Sequence, residues 1–151
     1  MKSLMTTLLL IILSLPGTSN AQSEPDPALA ASAVFDEFLV FLTKLEIDSI
    51  VDLFASDALF WGTSSKILVE DTAGVNAYFS ALSGGTPGQN VARKLNTSAS
   101  VISDSLVLVS GTWEVLFNGA EGGAPLRVSM AVALRDGEWK IVQFHNSSLP
   151  E

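Results

Sequence analysis

The sequence predicts an α+β fold in which helices pack on one face of an antiparallel sheet. Two observations predict it. In the first half, apolar residues recur mainly at three- and four-residue steps, the spacing that gathers them on one helix face. From Val91 onward the period changes to two, the spacing of half-buried strands. Helices first and strands afterwards form separate layers rather than alternating parallel units. With 151 residues, 48% of them apolar, the chain is long enough to bury the core of one domain.

Residues 1–21 have a different character. Met1-Lys2 gives a basic start, and Leu8–Leu15 (LLLIILSL) is apolar except at Ser14. Pro16-Gly17 breaks the run, and Ser19-Asn20-Ala21 places small residues where a signal peptidase cuts. This reads as a secretory signal peptide, too short to span a bilayer comfortably. The expectation is an exported protein, periplasmic or secreted. No cysteine follows Ala21 to carry a lipid, so no membrane anchoring is expected after signal cleavage. With no cysteine at all, the fold must hold by its core without disulfides. Residues 22–27 read as a linker and 28–151 as the domain.

The elements follow in order. Asp26-Pro27 starts a helix, with the carboxylate as N-cap and proline at the first helical position. Val34, Phe35, Phe38, Leu39, Leu42 and Leu45 mark its buried face over about five turns. Asp48 is expected to cap a short second helix carrying Ile50, Leu53 and Phe54, and Asp57–Gly62 a strand leaving it. Asp71 or Thr72 caps a third helix with Val75, Tyr78, Phe79 and Leu82 on one face, ended by Gly84-Gly85. Four strands follow: Val91–Ile102, Ser105–Phe117, Leu126–Leu134 and Glu138–Ser147.

The last two strands meet at Asp136-Gly137, which favours a two-residue type I′ turn and so sets the register. Arg135 then faces Glu138, Leu134 faces Trp139 and Val132 faces Ile141. Continued without interruption, Met130 faces Gln143 and Val128 faces His145. Gln143 and His145 would then lie on the core side. Ser129, Ala131, Ala133, Val142 and Phe144 would form an outer face with an uncharged middle, suited to a second subunit.

Charge narrows the function classes. The chain has a formal net charge of −8; loss of Lys2 with the signal leaves 7 basic against 16 acidic side chains, a net −9. That is unsuited to nucleic acid, whose phosphates demand clustered Lys and Arg. One histidine and no cysteine offer too few ligands for a metal, so none is expected. No cofactor is expected: Gly84-Gly85-Thr86-Pro87-Gly88 lacks the lysine of a phosphate loop, and no dinucleotide fingerprint is present. No G-x-S-x-G turn presents a serine nucleophile.

Four segments in order, EIDSIVDLFASDALFWG, GVNAYFSAL, SDSLVLVSGTWEV and LRDGEWKIVQFHNSSLP, resemble the nuclear transport factor 2-like superfamily. The likeness is to its SnoaL-like members and the calcium/calmodulin-dependent kinase II association domain. It implies a cone, a cystatin-like roll in which a curved antiparallel sheet wraps about three helices around a cavity. It also implies dimerisation through the outer sheet face. The general-base aspartate of steroid-isomerase-like members falls at Gly62, and their oxyanion tyrosine at Phe38. The association domain's His-Phe-His-Arg-Ser-like run corresponds to Gln143-Phe144-His145-Asn146-Ser147, so the arginine is replaced by Asn146.

The expected function is a self-associating domain, a homodimer, whose aromatic-lined cavity binds a small, largely apolar molecule. The candidate ligand contacts are Trp61, Tyr78, Trp113, Met130, Gln143 and His145. His145 is also the candidate acid or base if the domain is instead an isomerase-, dehydratase- or hydrolase-type enzyme, since histidine titrates near neutrality. A third reading is a pure dimerisation module.

Overall fold

The computed structural model describes residues 26–150, Glu121 excepted. The signal peptide expected over residues 1–21, and the linker as far as residue 25, lie outside the described residues.

The first helix, α1 (Pro27–Lys44), begins as its sequence dictates. Asp26 accepts a hydrogen bond from the Ala28 amide at 2.9 Å, and Pro27 occupies the first turn. Its buried face is Ala31, Val34, Phe35, Phe38 and Leu39. Leu45 ends it in the left-handed region at φ 56°, where glycine is the ordinary residue. The Leu45 and Glu46 amides close the end on Leu42 O and Phe41 O.

The short helix α2 (Ile47–Asp52) starts one residue ahead of Asp48, the expected cap. Glu46 stands at the cap without a side-chain bond, and Asp48 lies in the first turn, where a carboxylate favours the helix dipole instead. Strand β1 (Phe54–Trp61) follows directly, taking Phe54 away from the helix to which its spacing assigned it. In α3 (Thr72–Ser80) Asp71 is the cap, accepting from the Gly74 amide at 2.7 Å. Leu82, expected on this helix, follows its end.

Strands β2 (Val91–Ser103), β3 (Leu106–Leu116), β4 (Ala124–Arg135) and β5 (Glu138–Ser148) form an antiparallel run. The curved, unclosed sheet has the order β1-β5-β4-β3-β2. It is antiparallel throughout except at one edge, where β1 lies parallel to β5. A helix and three strands separate these two in sequence, so no tight turn forces them antiparallel. The helices cover one face, giving the α+β architecture.

The β4–β5 hairpin begins as predicted. Asp136 and Gly137 have φ 52° and 86°, as a type I′ turn requires, and the pairs Arg135↔Glu138, Leu134↔Trp139 and Val132↔Ile141 form. The register then shifts: Ala131 pairs with Gln143, Met130 with Phe144, Ser129 with His145 and Val128 with Asn146. Val142 is an extra residue on β5, a β-bulge, and one extra residue exchanges the faces beyond it. The placement of Gln143 and His145 on the core side is thereby corrected. Phe144 is 1% exposed and Asn146 7%, while His145 is exposed. The reason is burial: a phenylalanine transferred inward contributes about 2–3 kcal/mol, whereas imidazole and amide would need buried partners.

Phe144 enters a cluster of rings. It stacks on Phe60 at 5.4 Å and meets Phe38 at 5.2 Å, and Phe79 lies 5.8 Å from Phe38. These rings tie α1, α3, β1 and β5 into one core.

The bulge yields a direct test. Phe144→Ala is expected to destabilise the domain by about 3–5 kcal/mol, and His145→Ala by no more than about 0.5 kcal/mol. Urea denaturation midpoints of the two variants measure the contrast, which an unbulged strand would reverse.

Candidate functional site: an aromatic cavity

Strands β1, β3 and β5 finish at the same end of the sheet, as their pairings require. There, with the C-terminal half of α1 and with α3, they enclose a cavity of about 270 Å³. Phe38, Phe60, Phe79 and Phe144 form its base. Trp113, Tyr78, Leu42, Leu45 and Leu126 contribute to its walls, and Gly85, Thr86 and Asn90 lie along it from the α3–β2 connection. The left-handed backbone at Leu45 thus carries a side chain that the cavity wall uses.

Among the described residues no Asp, Glu, Lys, Arg or His lines this cavity, and Tyr78 is the only ionisable side chain that does. Its polar equipment is a short hydrogen-bonded chain. The Trp113 indole donates Nε1–H to Asn146 Oδ1 at 2.8 Å, and Asn146 Nδ2 donates to Thr63 Oγ1 at 2.5 Å. Thr63 is held by the turn after β1, where the Gly62 amide donates to Ser65 Oγ at 2.9 Å and the Ser65 amide returns to Gly62 O. The loop beyond is clasped to β1 by reciprocal Phe60–Val69 backbone bonds. Ser64 Oγ and the Tyr78 hydroxyl are 3.3 Å apart.

Gly62 has a steric reason to be glycine. A Cβ built there would lie 2.3 Å from Tyr78 Cζ, far inside van der Waals contact. The Tyr78 ring occupies the space that a side chain at position 62 would take, and it packs on Phe60 at 4.8 Å.

Of the six ligand contacts expected from sequence, two line the cavity: Tyr78 and Trp113. Met130 lies wholly buried in the core beside it, 0% exposed. Trp61, Gln143 and His145 lie on the outer face of the sheet, away from the cavity: Gln143 and His145 because of the bulge, and Trp61 because it alternates on β1 with the buried Phe60. Leu59 pairs with Gln143 and Trp61 with His145, and Trp61 is 38% exposed. His145 borders a separate shallow hollow with Ser110, Thr112, Arg127, Ser129 and Ser147. It is therefore not placed to act as acid or base on anything held in the cavity. Among the described residues no group of three or more His, Asp or Glu is placed to hold a metal.

Asn146, Thr63 and the phenylalanine base were not among the expected contacts. In the sequence Asn146 stands as the substitute for an arginine; in the structure it bonds both Trp113 and Thr63 on the cavity wall. The signal available for it was the same as for Phe144: an inward Phe144 requires an inward residue 146.

A profile of the SnoaL-like domain matches residues 31–151. The chain belongs to this family. Similar solved structures place this SnoaL-like domain in the nuclear transport factor 2-like, cystatin-like fold. A nuclear transport factor 2-like protein of unknown function from Pseudomonas putida KT2440 has TM-score 0.73 and 13% identity, over 82% of this chain and 87% of that one. A Xanthomonas campestris protein provisionally named a calcium/calmodulin dependent protein kinase II association domain has TM-score 0.70 and 21% identity, over 80% and 86%. A Novosphingobium aromaticivorans protein provisionally named a scytalone dehydratase has TM-score 0.69 and 12% identity, over 81% and 83%. At these identities the likeness is one of fold. No curated protein sequence matches the chain. In this SnoaL-like domain both positions that the steroid-isomerase resemblance would equip are apolar: Tyr78 excludes a side chain at Gly62, and Phe38 packs on Phe144.

The packing of Gly62 on Tyr78 can be tested by a double-mutant cycle. Gly62→Ala alone is expected to cost about 1–3 kcal/mol, as overpacking does. In a Tyr78→Ala background most of that cost should vanish, giving a coupling of about 1 kcal/mol or more. Additive effects in thermal or chemical denaturation would contradict the contact.

Proposed function

We propose that this SnoaL-like domain binds a small, neutral, largely apolar molecule in the cavity beneath Trp113 and Tyr78. One observation carries the reading: the cavity is lined by phenylalanine rings and, among the described residues, by no carboxylate, ammonium, guanidinium or imidazole. Such a site favours flat apolar matter and opposes ions, because a charge there would lose water without gaining a partner. An apolar cavity of roughly 150 Å³ accepts a benzene, so about 270 Å³ suits a molecule of one or two rings.

The fold hosts isomerases and dehydratases as well as binding domains, and fold alone does not choose among them. Proton transfer needs a group that titrates near the working pH within reach of the substrate. Among the described residues the cavity offers no carboxylate, imidazole or ammonium for that role. Binding without acid–base turnover is the reading this lining favours.

Self-association and export belong to the same proposal. Two cross-strand rows run over all five strands of the outer face without a fixed charge. One is Ser100, Leu108, Ala131, Gln143 and Leu59; the other is Ser98, Ser110, Ser129, His145 and Trp61. A face so poor in fixed charge, with Leu108, Leu59 and Trp61 partly exposed, supports contact with a second copy. Phe144, expected to contribute to this face, points inward and does not. A sizing experiment on the mature protein is expected to give a dimer; a monomer at high concentration would remove that part.

Ligand binding is tested by thermal shift. Neutral one- and two-ring compounds, indole among them, are expected to raise Tm, with about 2.7 kcal/mol of stabilisation at a hundredfold excess over Kd. Benzoate should not, and Val115→Trp, which fills the cavity, should abolish the response. A protein that responds to none of these compounds would contradict the proposal.

A further inference from the structure

The hydrogen-bonded chain on the cavity wall has a fixed direction. An indole N–H can only donate, so the atom of Asn146 that faces Trp113 Nε1 must be the amide oxygen. The amide nitrogen then faces Thr63, and the Thr63 oxygen must accept. Its own O–H remains, and among the described residues it donates to nothing. Each donor in the series polarises the next. The series ends at the Thr63 hydroxyl, on a residue that lines the cavity and is exposed.

We propose that Thr63 is the specificity-determining residue of the cavity and selects ligands bearing a neutral oxygen acceptor, a ketone or ether, on an otherwise apolar ring system. The inference rests on the cavity-binding reading and adds the chemical class. The ring system lies on the phenylalanine base, and its oxygen meets the Thr63 hydroxyl. A ligand without an acceptor there would displace the water that serves this exposed hydroxyl and not replace its hydrogen bond. The Ser64–Tyr78 pair has no comparable direction, because either hydroxyl can donate. Of the remaining polar groups, Thr43 donates to Leu39 O and accepts from the Ala92 amide, and Asn90 Oδ1 accepts from the Asn118 amide, while the Thr86 hydroxyl and the Asn90 amide nitrogen belong to the α3–β2 connection and not to this directed chain.

The test uses a matched pair, 1-indanone and indane, which share a bicyclic frame and differ by the carbonyl. In calorimetric titration the wild-type protein is expected to bind the ketone about three- to tenfold more tightly, the value of one net neutral hydrogen bond. Thr63→Val should bring the ratio to about one by weakening only the ketone, and Thr63→Ser should restore it. A second readout separates recognition from damage to the loop. The Trp113 indole ¹H–¹⁵N resonance should move more with ketone than with hydrocarbon, and this difference should disappear in Thr63→Val. Equal binding of ketone and hydrocarbon by the wild type would overturn the role of Thr63 while leaving the cavity reading intact. So would an unchanged ratio in Thr63→Val. Binding of neither compound would overturn both.

Discussion

The fold's functional end depends on one constraint, the extra residue that Val142 inserts into β5. Without it the alternation set by the Asp136-Gly137 turn would carry Gln143 and His145 into the core and leave Phe144 outside. With it, Phe144 closes the aromatic base and Asn146 reaches Trp113. The bulge therefore determines both the burial of Phe144 and the polar wall of the cavity. It also sends the chain's only histidine to the surface, away from the cavity.

The cavity shows how position and chemistry are divided among the elements. The rigid parts, α1 and the sheet, supply rings that stack or meet edge-to-face at 5–6 Å, the arrangement aromatic quadrupoles favour. The loop after β1 supplies the polar end, and it is held by its own Gly62–Ser65 turn and the Phe60–Val69 clasp. Tyr78 links the two: its ring packs on Phe60 and excludes any side chain at position 62. Where the family resemblance would place a base, this domain has an aromatic wall.

Much of this was legible in the sequence, and the rest was not for identifiable reasons. Asp26-Pro27 and Asp71 announce their helices because a capping carboxylate acts within one turn of chain. Asp136-Gly137 announces its turn because few dipeptides accept left-handed φ at both positions. These are local rules, read from adjacent residues. A bulge is different. IVQFHN satisfies a two-residue period in either register, and only the comparison of a buried phenylalanine with a buried histidine tells them apart. The parallel β1–β5 pairing is likewise a long-range outcome, with no short motif to mark it. Tyr78 and Trp113 were found because aromatics announce themselves, but Thr63 and Asn146 are common residues whose importance arises only from being brought together.

The Trp113–Asn146 hydrogen bond concentrates the whole account, since it forms only if the bulge turns residue 146 inward. The direct measurement is a nuclear Overhauser experiment on the Trp113 indole proton. A bulged β5 predicts contacts to the Asn146 side-chain amide protons and slow solvent exchange of the indole proton. Contacts to Gln143 or His145 side chains in place of Asn146 would mean that β5 runs unbulged, and would contradict the account.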